Sequence, residues 1–196
     1  MYMEKSEAEI LKDQLFNKKE NGWNFAKNKE NIFNYADGYI NFMNTSKTER
    51  EIIKSSKKIA ESNGFKDIGE YSSLKVGDKV YYINREKSMY LAVIGKEDIE
   101  NGINIIGAHG DSPRLDLKPN PLYEDNEFAY FKTHYYGGIK KYQWTTIPLS
   151  IHGVIAKTNG EKVEVNIGED ENDPIFTITD LLPHLAQDKM KKKLKN

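Results

Sequence analysis

Apolar residues change their spacing near Gly64, and a chain that does so must join helices to strands. From Glu4 to about Asn44 they recur three or four apart, as in Ile10, Leu11 and Leu15 and then Ile32, Tyr35, Ala36, Tyr39, Ile40 and Met43. This period predicts two amphipathic helices separated by Asn21-Gly22. Ser46 and Glu49 have the spacing of a capping box, in which hydroxyl and carboxylate each accept from an amide left over at a helix start. A third helix is therefore predicted to run to Ser62 and to stop at Asn63-Gly64.

Strand-like segments follow. Val80 to Asn84 and Ser88 to Ile94 flank Arg85-Glu86-Lys87 as a hairpin. Ile103 to Ala108 is nearly continuous in apolar residues, a pattern suited to a strand buried on both faces of a mixed sheet. That strand must end at Asp111-Ser112-Pro113, because proline has no amide to donate. Pro119 and Pro121 mark the expected domain boundary, dividing the chain into 1–119 and 120–196. Past it, Phe128 to Tyr136, Thr145 to Ala156, Lys162 to Ile167 and Ile175 to Ile178 are predicted strands, and a lysine-rich helix is expected from about Pro183 without a closing cap.

Composition narrows the function classes. Lysine and arginine number 29 against 30 aspartate and glutamate, a net charge of −1, so no whole-chain field would gather nucleic acid or anionic lipid. The run Lys189 to Lys193 is an exposed helix face by this reading rather than a nucleic-acid patch. No stretch reaches the length of a membrane span, and the start lacks the apolar core of a secretory signal. Membrane and nucleic acid are therefore not expected partners. Cysteine is absent, which removes disulfides and thiolate metal sites and leaves histidine and carboxylates as the plausible zinc ligands. A reducing, cytoplasmic location fits that absence.

The chemistry is concentrated in Gly107 to Pro119. His109 and Asp111 stand two apart at the end of an extended segment, where residues i and i+2 point to the same side. One imidazole nitrogen could then bind a metal while the carboxylate holds the other and fixes the tautomer. Two turn residues ahead of Ser-Pro are the alternative. Asp116, Glu124, Asp125 and Glu127 are nearby carboxylates best read as solvated loop residues. His134, among Tyr135, Tyr136 and Gly137-Gly138, reads as aromatic packing, and His152, beside Ile151 and Val154, as a sheet histidine.

The segment AHGDSPRLDLKPNPLYED resembles the first metal-ligand motif of the aspartyl aminopeptidase and vacuolar aminopeptidase I family, and KTHYYGGIKKYQW and IPLSIHGVI continue the likeness across most of residues 76 to 190. Gly110 departs from it, standing where the family usually has a larger residue. The resemblance implies an α/β peptidase domain with helices on a mixed sheet, begun by residues 1–119, and then the start of an inserted β-rich lid and oligomerisation domain at 120–196. It implies His109 as a zinc ligand and Asp111 as the acid that orients it. Two zinc ions would share the complete site with a bridging aspartate and a general-base glutamate, whose motifs are expected beyond Asn196. The chain would then be the N-terminal part of a homo-oligomeric aminopeptidase releasing N-terminal residues, acidic or neutral, from peptide substrates, and inactive by itself. His184, in Pro-His-Leu, resembles a lid histidine that reaches a neighbouring subunit's active site, a local helix-terminal contact being the alternative. A deacylase or carboxypeptidase on a related zinc core, or a non-catalytic binding module, are the rival readings.

Overall fold

A computed structural model of the chain describes residues 6–17, 19–182 and 184. Helix α1 spans Glu7–Leu15, and Ser6 caps it in a box with Glu9. A 3-10 turn at Gly22–Phe25, started by the Asn21 side chain, separates it from α2, Lys29–Asn44. The chain divides into two compact units between Phe42 and Met43. In the first, Trp23 meets Phe33 edge to face, with ring centroids 5.9 Å apart.

The second unit is organised by α3, Glu49–Ser62. Its cap is Thr48 with Glu51, which corrects the expectation of Ser46 with Glu49. Both pairs have the same spacing, so the pattern alone could not choose between them. Thr48 Oγ1 accepts from the Glu51 amide at 3.4 Å, and Glu51 Oε2 accepts from the Thr48 amide at 2.9 Å. Ser46 is instead fully buried, and its hydroxyl has no hydrogen-bond partner among the described residues. The helix ends at Asn63-Gly64 as expected, with Gly64 at φ 82°, a conformation that a side chain would strain.

Strands β1 (Lys66–Asp67), β2 (Lys79–Asn84) and β3 (Ser88–Val93) form a mixed sheet, with β1 parallel and β3 antiparallel to β2. Arg85 and Glu86 both take positive φ to reverse the chain between β2 and β3. Among the described residues, Ile53 and Ala60 of α3 and Val80 and Tyr81 of β2 are the buried apolar ones. The Tyr81 hydroxyl reaches Glu61 of α3 at 2.9 Å, so helix and sheet are joined by apolar burial and by a polar contact at its margin. This is the expected α/β arrangement, a helix on a mixed sheet.

Two further hairpins carry the rest. β4 (Arg114–Asp125) pairs with β5 (Phe128–Tyr136), and β6 (Ile151–Ala156) with β7 (Lys162–Ile167). Pro119 and Pro121 lie within β4, where the register shifts between Leu117 and Leu122 because neither proline offers an amide. The expected strand Thr145 to Ala156 is shorter in the structure. Thr146 adopts φ 61° and Pro148 cannot donate, so only single bridges form before Ile151, from Thr145 to Ile178 and from Leu149 to Phe176.

Ile103 to Ala108 is not a strand, contrary to the expectation from its apolar run. A strand exists through its neighbours, and none of the described strands pairs with this segment. Ile106 is 99% exposed as a result. The lysine-rich helix expected from Pro183 lies outside the described residues, as does the run Lys189 to Lys193.

The two candidate caps are separable by measurement. Thr48→Ala should lower stability by about 1 kcal/mol, read as a lower urea midpoint of the transition that follows α3. Ser46→Ala should cost less, or even stabilise, since it removes a buried hydroxyl with no bond to lose. The reverse ranking would restore Ser46 as the cap.

Candidate active site

His109 lies in the extended stretch between the 3-10 turn Ile99–Asn101 and β4. Its Nδ1 is 2.9 Å from Asp111 Oδ1 and also 2.9 Å from the Asp111 carbonyl, both acceptors, so this nitrogen carries the proton. Nε2 is left as the nitrogen able to ligate, on a side chain that is 84% exposed. A carboxylate that fixes the tautomer and raises the basicity of the ring is the usual setting of a metal-binding histidine. Gly110 sits between them, and a β-carbon there would meet Ile52 of α3 in ordinary contact at 3.6 Å. A larger residue could therefore occupy that position.

Asp111 has a second partner, which its own segment does not supply. The hydroxyl of Tyr136, at the end of β5, donates to Asp111 Oδ2 at 2.7 Å. The Tyr136 hydroxyl, and then the His109 ring, hold the Asp111 carboxyl below its ordinary range. The same bond and the carboxylate's charge push the Tyr136 phenol up, so the hydroxyl stays protonated as the donor. Arg114, opposite Tyr136 in the β4–β5 register, lays its guanidinium 3.9 Å from the Tyr136 ring centroid. Arg114 is itself held by Asp116 at 2.7 Å and by Glu49 of α3 at 3.0 Å. Tyr136 and Arg114 were not singled out by motif. Pairing RLDL against FKTHYY as a hairpin would have set them opposite each other.

The other predicted residues fall as follows. His184 is an exposed turn residue. His134 stacks on Tyr135 with ring centroids 5.0 Å apart, in keeping with aromatic packing. Glu124 accepts the Glu127 amide at 2.8 Å and closes the β4–β5 turn, while Asp116 is a β4 residue committed to Arg114. No three histidine, aspartate or glutamate side chains among the described residues converge closely enough to hold an ion. His109 thus fits one ligand position of a zinc site, and the described residues do not complete a set.

His152 is a sheet histidine on β6, with 9% of its side chain exposed. Its Nδ1 lies 2.8 Å from Glu51 Oε1, and its Nε2 lies 2.9 Å from Glu169 Oε1 and 3.1 Å from Ser150 Oγ. Both nitrogens are engaged, so the ring clasps the first turn of α3 to the segment after β7. Burial pushes Glu51 up, but the His152 ring and the Lys47 and Thr48 amides outweigh it, and the carboxyl sits below its ordinary range. Glu169 is also lowered, by the Ser150 hydroxyl and then by His152.

A histidine whose tautomer is fixed by a carboxylate, carried on a mixed α/β unit, has the chemistry of a metal ligand. Comparison with known proteins agrees. The chain is 54% identical over 170 residues to a probable M18 family aminopeptidase 1 of Borrelia garinii, covering 86% of this chain and 37% of that protein. It is 48% identical over 189 residues to a probable M18 family aminopeptidase 1 of Clostridium acetobutylicum, covering 93% of this chain and 41% of that one. Among solved structures, aminopeptidase I from Borrelia burgdorferi matches with a TM-score of 0.78 at 49% identity, over 83% of this chain and 41% of that one. The aminopeptidase of the same family from Thermotoga maritima matches with a TM-score of 0.81 at 45% identity, over 91% and 39%. Residues 42–196 match the aminopeptidase I zinc metalloprotease (M18) family, and the chain belongs to it. It spans about two-fifths of the length of these relatives.

The clasp around His152 has a pH signature. Glu51 and Glu169 bind protons less readily folded than unfolded, so their stabilisation is complete above the ordinary glutamate value of about 4.3 and is lost as pH falls through the lowered folded values. Glu169→Gln should therefore be less stable than wild type at about pH 5.5, and the gap should narrow as pH falls below the ordinary glutamate range, as read from urea midpoints. A gap that stays constant over this range would show that Glu169 contributes nothing through its charge.

Proposed function

We propose that this chain is the N-terminal part of a zinc aminopeptidase of its relatives' length, in which His109 is a zinc ligand and Asp111 orients it. The observation that carries this reading is the pair of 2.9 Å contacts from His109 Nδ1 to Asp111, set within the region that matches the family. Two zinc ions in the complete site would polarise a scissile carbonyl and activate water for attack on it. The remaining ligands and the general base would come from outside the described residues. The substrates are peptides with a free amino terminus, those with an acidic first residue among them, and the protein acts in the cytoplasm, in keeping with a cysteine-free chain.

What this chain's residues do is hold and orient. Asp111 keeps the proton on Nδ1 of His109, so that Nε2 presents a lone pair, and exposure of the ring leaves room for the rest of a site. Residues 120–196 open the lid and oligomerisation domain in this reading. From that lid His184 reaches a neighbouring subunit's site in a homo-oligomer, where its ring donates to the developing oxyanion.

In the protein of full relative length, His109→Ala should abolish aminopeptidase activity and lower bound zinc, measured by metal analysis of the purified protein, while circular dichroism stays unchanged. Full zinc and full rate in that variant would remove the ligand assignment. His184→Ala should lower kcat by about 10²–10³ with zinc and assembly intact. Mixing His184→Ala subunits with His109→Ala subunits should restore part of the rate. Verified mixed oligomers that regain nothing would reject action between subunits.

A further inference from the structure

We infer that Tyr136 is a positioning residue for the zinc-ligand histidine, acting through Asp111 and itself aligned by Arg114. The inference rests on the reading of His109 as a ligand. Asp111 meets the ring twice, through its main-chain carbonyl and through Oδ1, each 2.9 Å from His109 Nδ1. The carbonyl is fixed by the backbone, whereas the charged contact keeps its aim only while the carboxylate is itself held. Here both oxygens are committed, Oδ1 to His109 Nδ1 at 2.9 Å and Oδ2 to the Tyr136 hydroxyl at 2.7 Å. The second bond comes from a residue 25 positions away, so it is a tertiary constraint that the local turn around Asp111 does not provide.

The phenol is in turn placed by three features. Tyr136 is the last residue of β5 and pairs in register with Arg114, the first of β4. Its ring is covered by the Arg114 guanidinium at 3.9 Å, and that guanidinium is tied down by Asp116 and Glu49. Gly137, at φ 76°, turns the chain immediately against Pro113, where a β-carbon would lie 3.6 Å from the Pro113 backbone. The hydroxyl is thus delivered to Asp111 from a strand end whose ring, register and exit are each constrained. A planar cation stacked on the ring fixes its plane without competing for its hydroxyl.

Loss of this hydroxyl should act on the histidine rather than on the fold. Tyr136→Phe keeps the ring beneath Arg114 and removes only the bond to Asp111. In the protein of full relative length it should weaken zinc binding about tenfold, read by competition with a chelator, and lower kcat with little change in KM. In the metal-free protein the ring proton of His109, held on Nδ1 in wild type, should shift in part toward Nε2, with the Asp111 carbonyl still accepting from Nδ1, as seen in 15N imidazole shifts. In an Asp111→Ala background the same substitution should change zinc affinity no further, since the two residues act in series.

Zinc affinity and ring-proton position both unchanged in Tyr136→Phe would overturn the inference. So would losses from the two substitutions that simply add, because that is the behaviour of independent structural effects. Wild-type protein that binds no zinc would sink the ligand reading alone. The ring-proton measurement, which needs no metal, would still decide the role of Tyr136.

Discussion

Three hairpins are tied to one helix by the first turn of α3, and the arrangement of the second unit hangs on that turn. Glu49 pairs with Arg114 of β4, Arg50 with Glu86 of the β2–β3 turn, and Glu51 with His152 of β6. Ion pairs of this kind are individually worth about 1 kcal/mol or less when exposed. The Arg50 pair is partly open to water, whereas His152 is nearly enclosed, so the three are not equivalent. Their common effect is directional. Each fixes where a two-stranded hairpin meets the helix, a position that apolar burial alone would leave loosely specified, because so few side chains here are fully buried.

Glu51 shows how one carboxylate serves two levels of structure. Its Oε2 accepts the Lys47 and Thr48 amides and completes the helix cap, while its Oε1 faces His152. Local order at the helix start and the docking of β6 are therefore coupled through a single side chain. Glu49 does the same for the candidate active site, since it steadies Arg114, whose guanidinium lies over Tyr136. Orientation passes from helix to strand to phenol to carboxylate to imidazole, and His109 needs no burial of its own to be held.

The sequence was most legible where the signal is local. Helix periods, the stop at Asn63-Gly64, the hairpin around Arg85-Glu86 and the strand Lys162 to Ile167 all rest on neighbours within a few residues, and the structure has them. The spacing of His109 and Asp111 was legible for the same reason. The cap lies two residues later than expected because Ser46-x-x-Glu49 and Thr48-x-x-Glu51 satisfy one rule equally, and the choice shows only in the fold, where Ser46 is buried, Glu49 turns to Arg114 and Glu51 takes the Lys47 and Thr48 amides. Ile103 to Ala108 failed differently. Its apolar run describes a segment with partners on both faces, and pattern cannot say whether those partners lie within the same 196 residues. Tyr136 was illegible because its role depends on hairpin register, which brings it to a carboxylate far off in the chain.

The crowding of three attachments into Glu49, Arg50 and Glu51 also limits how this stretch of chain can vary in evolution. Each residue of an α-helix is turned about 100° from the last. Substitution at one of the three loosens one hairpin and leaves the other two in place. Deleting or inserting a single residue within Glu49 to Glu51 would shift part of this set around the helix axis, so that attachments now made from successive faces of one turn could no longer be made together. Descendant sequences should therefore tolerate exchange in this turn far better than changes of length, and length variation should gather where no strand register depends on the count, such as the stretch between β3 and the 3-10 turn at Ile99–Asn101.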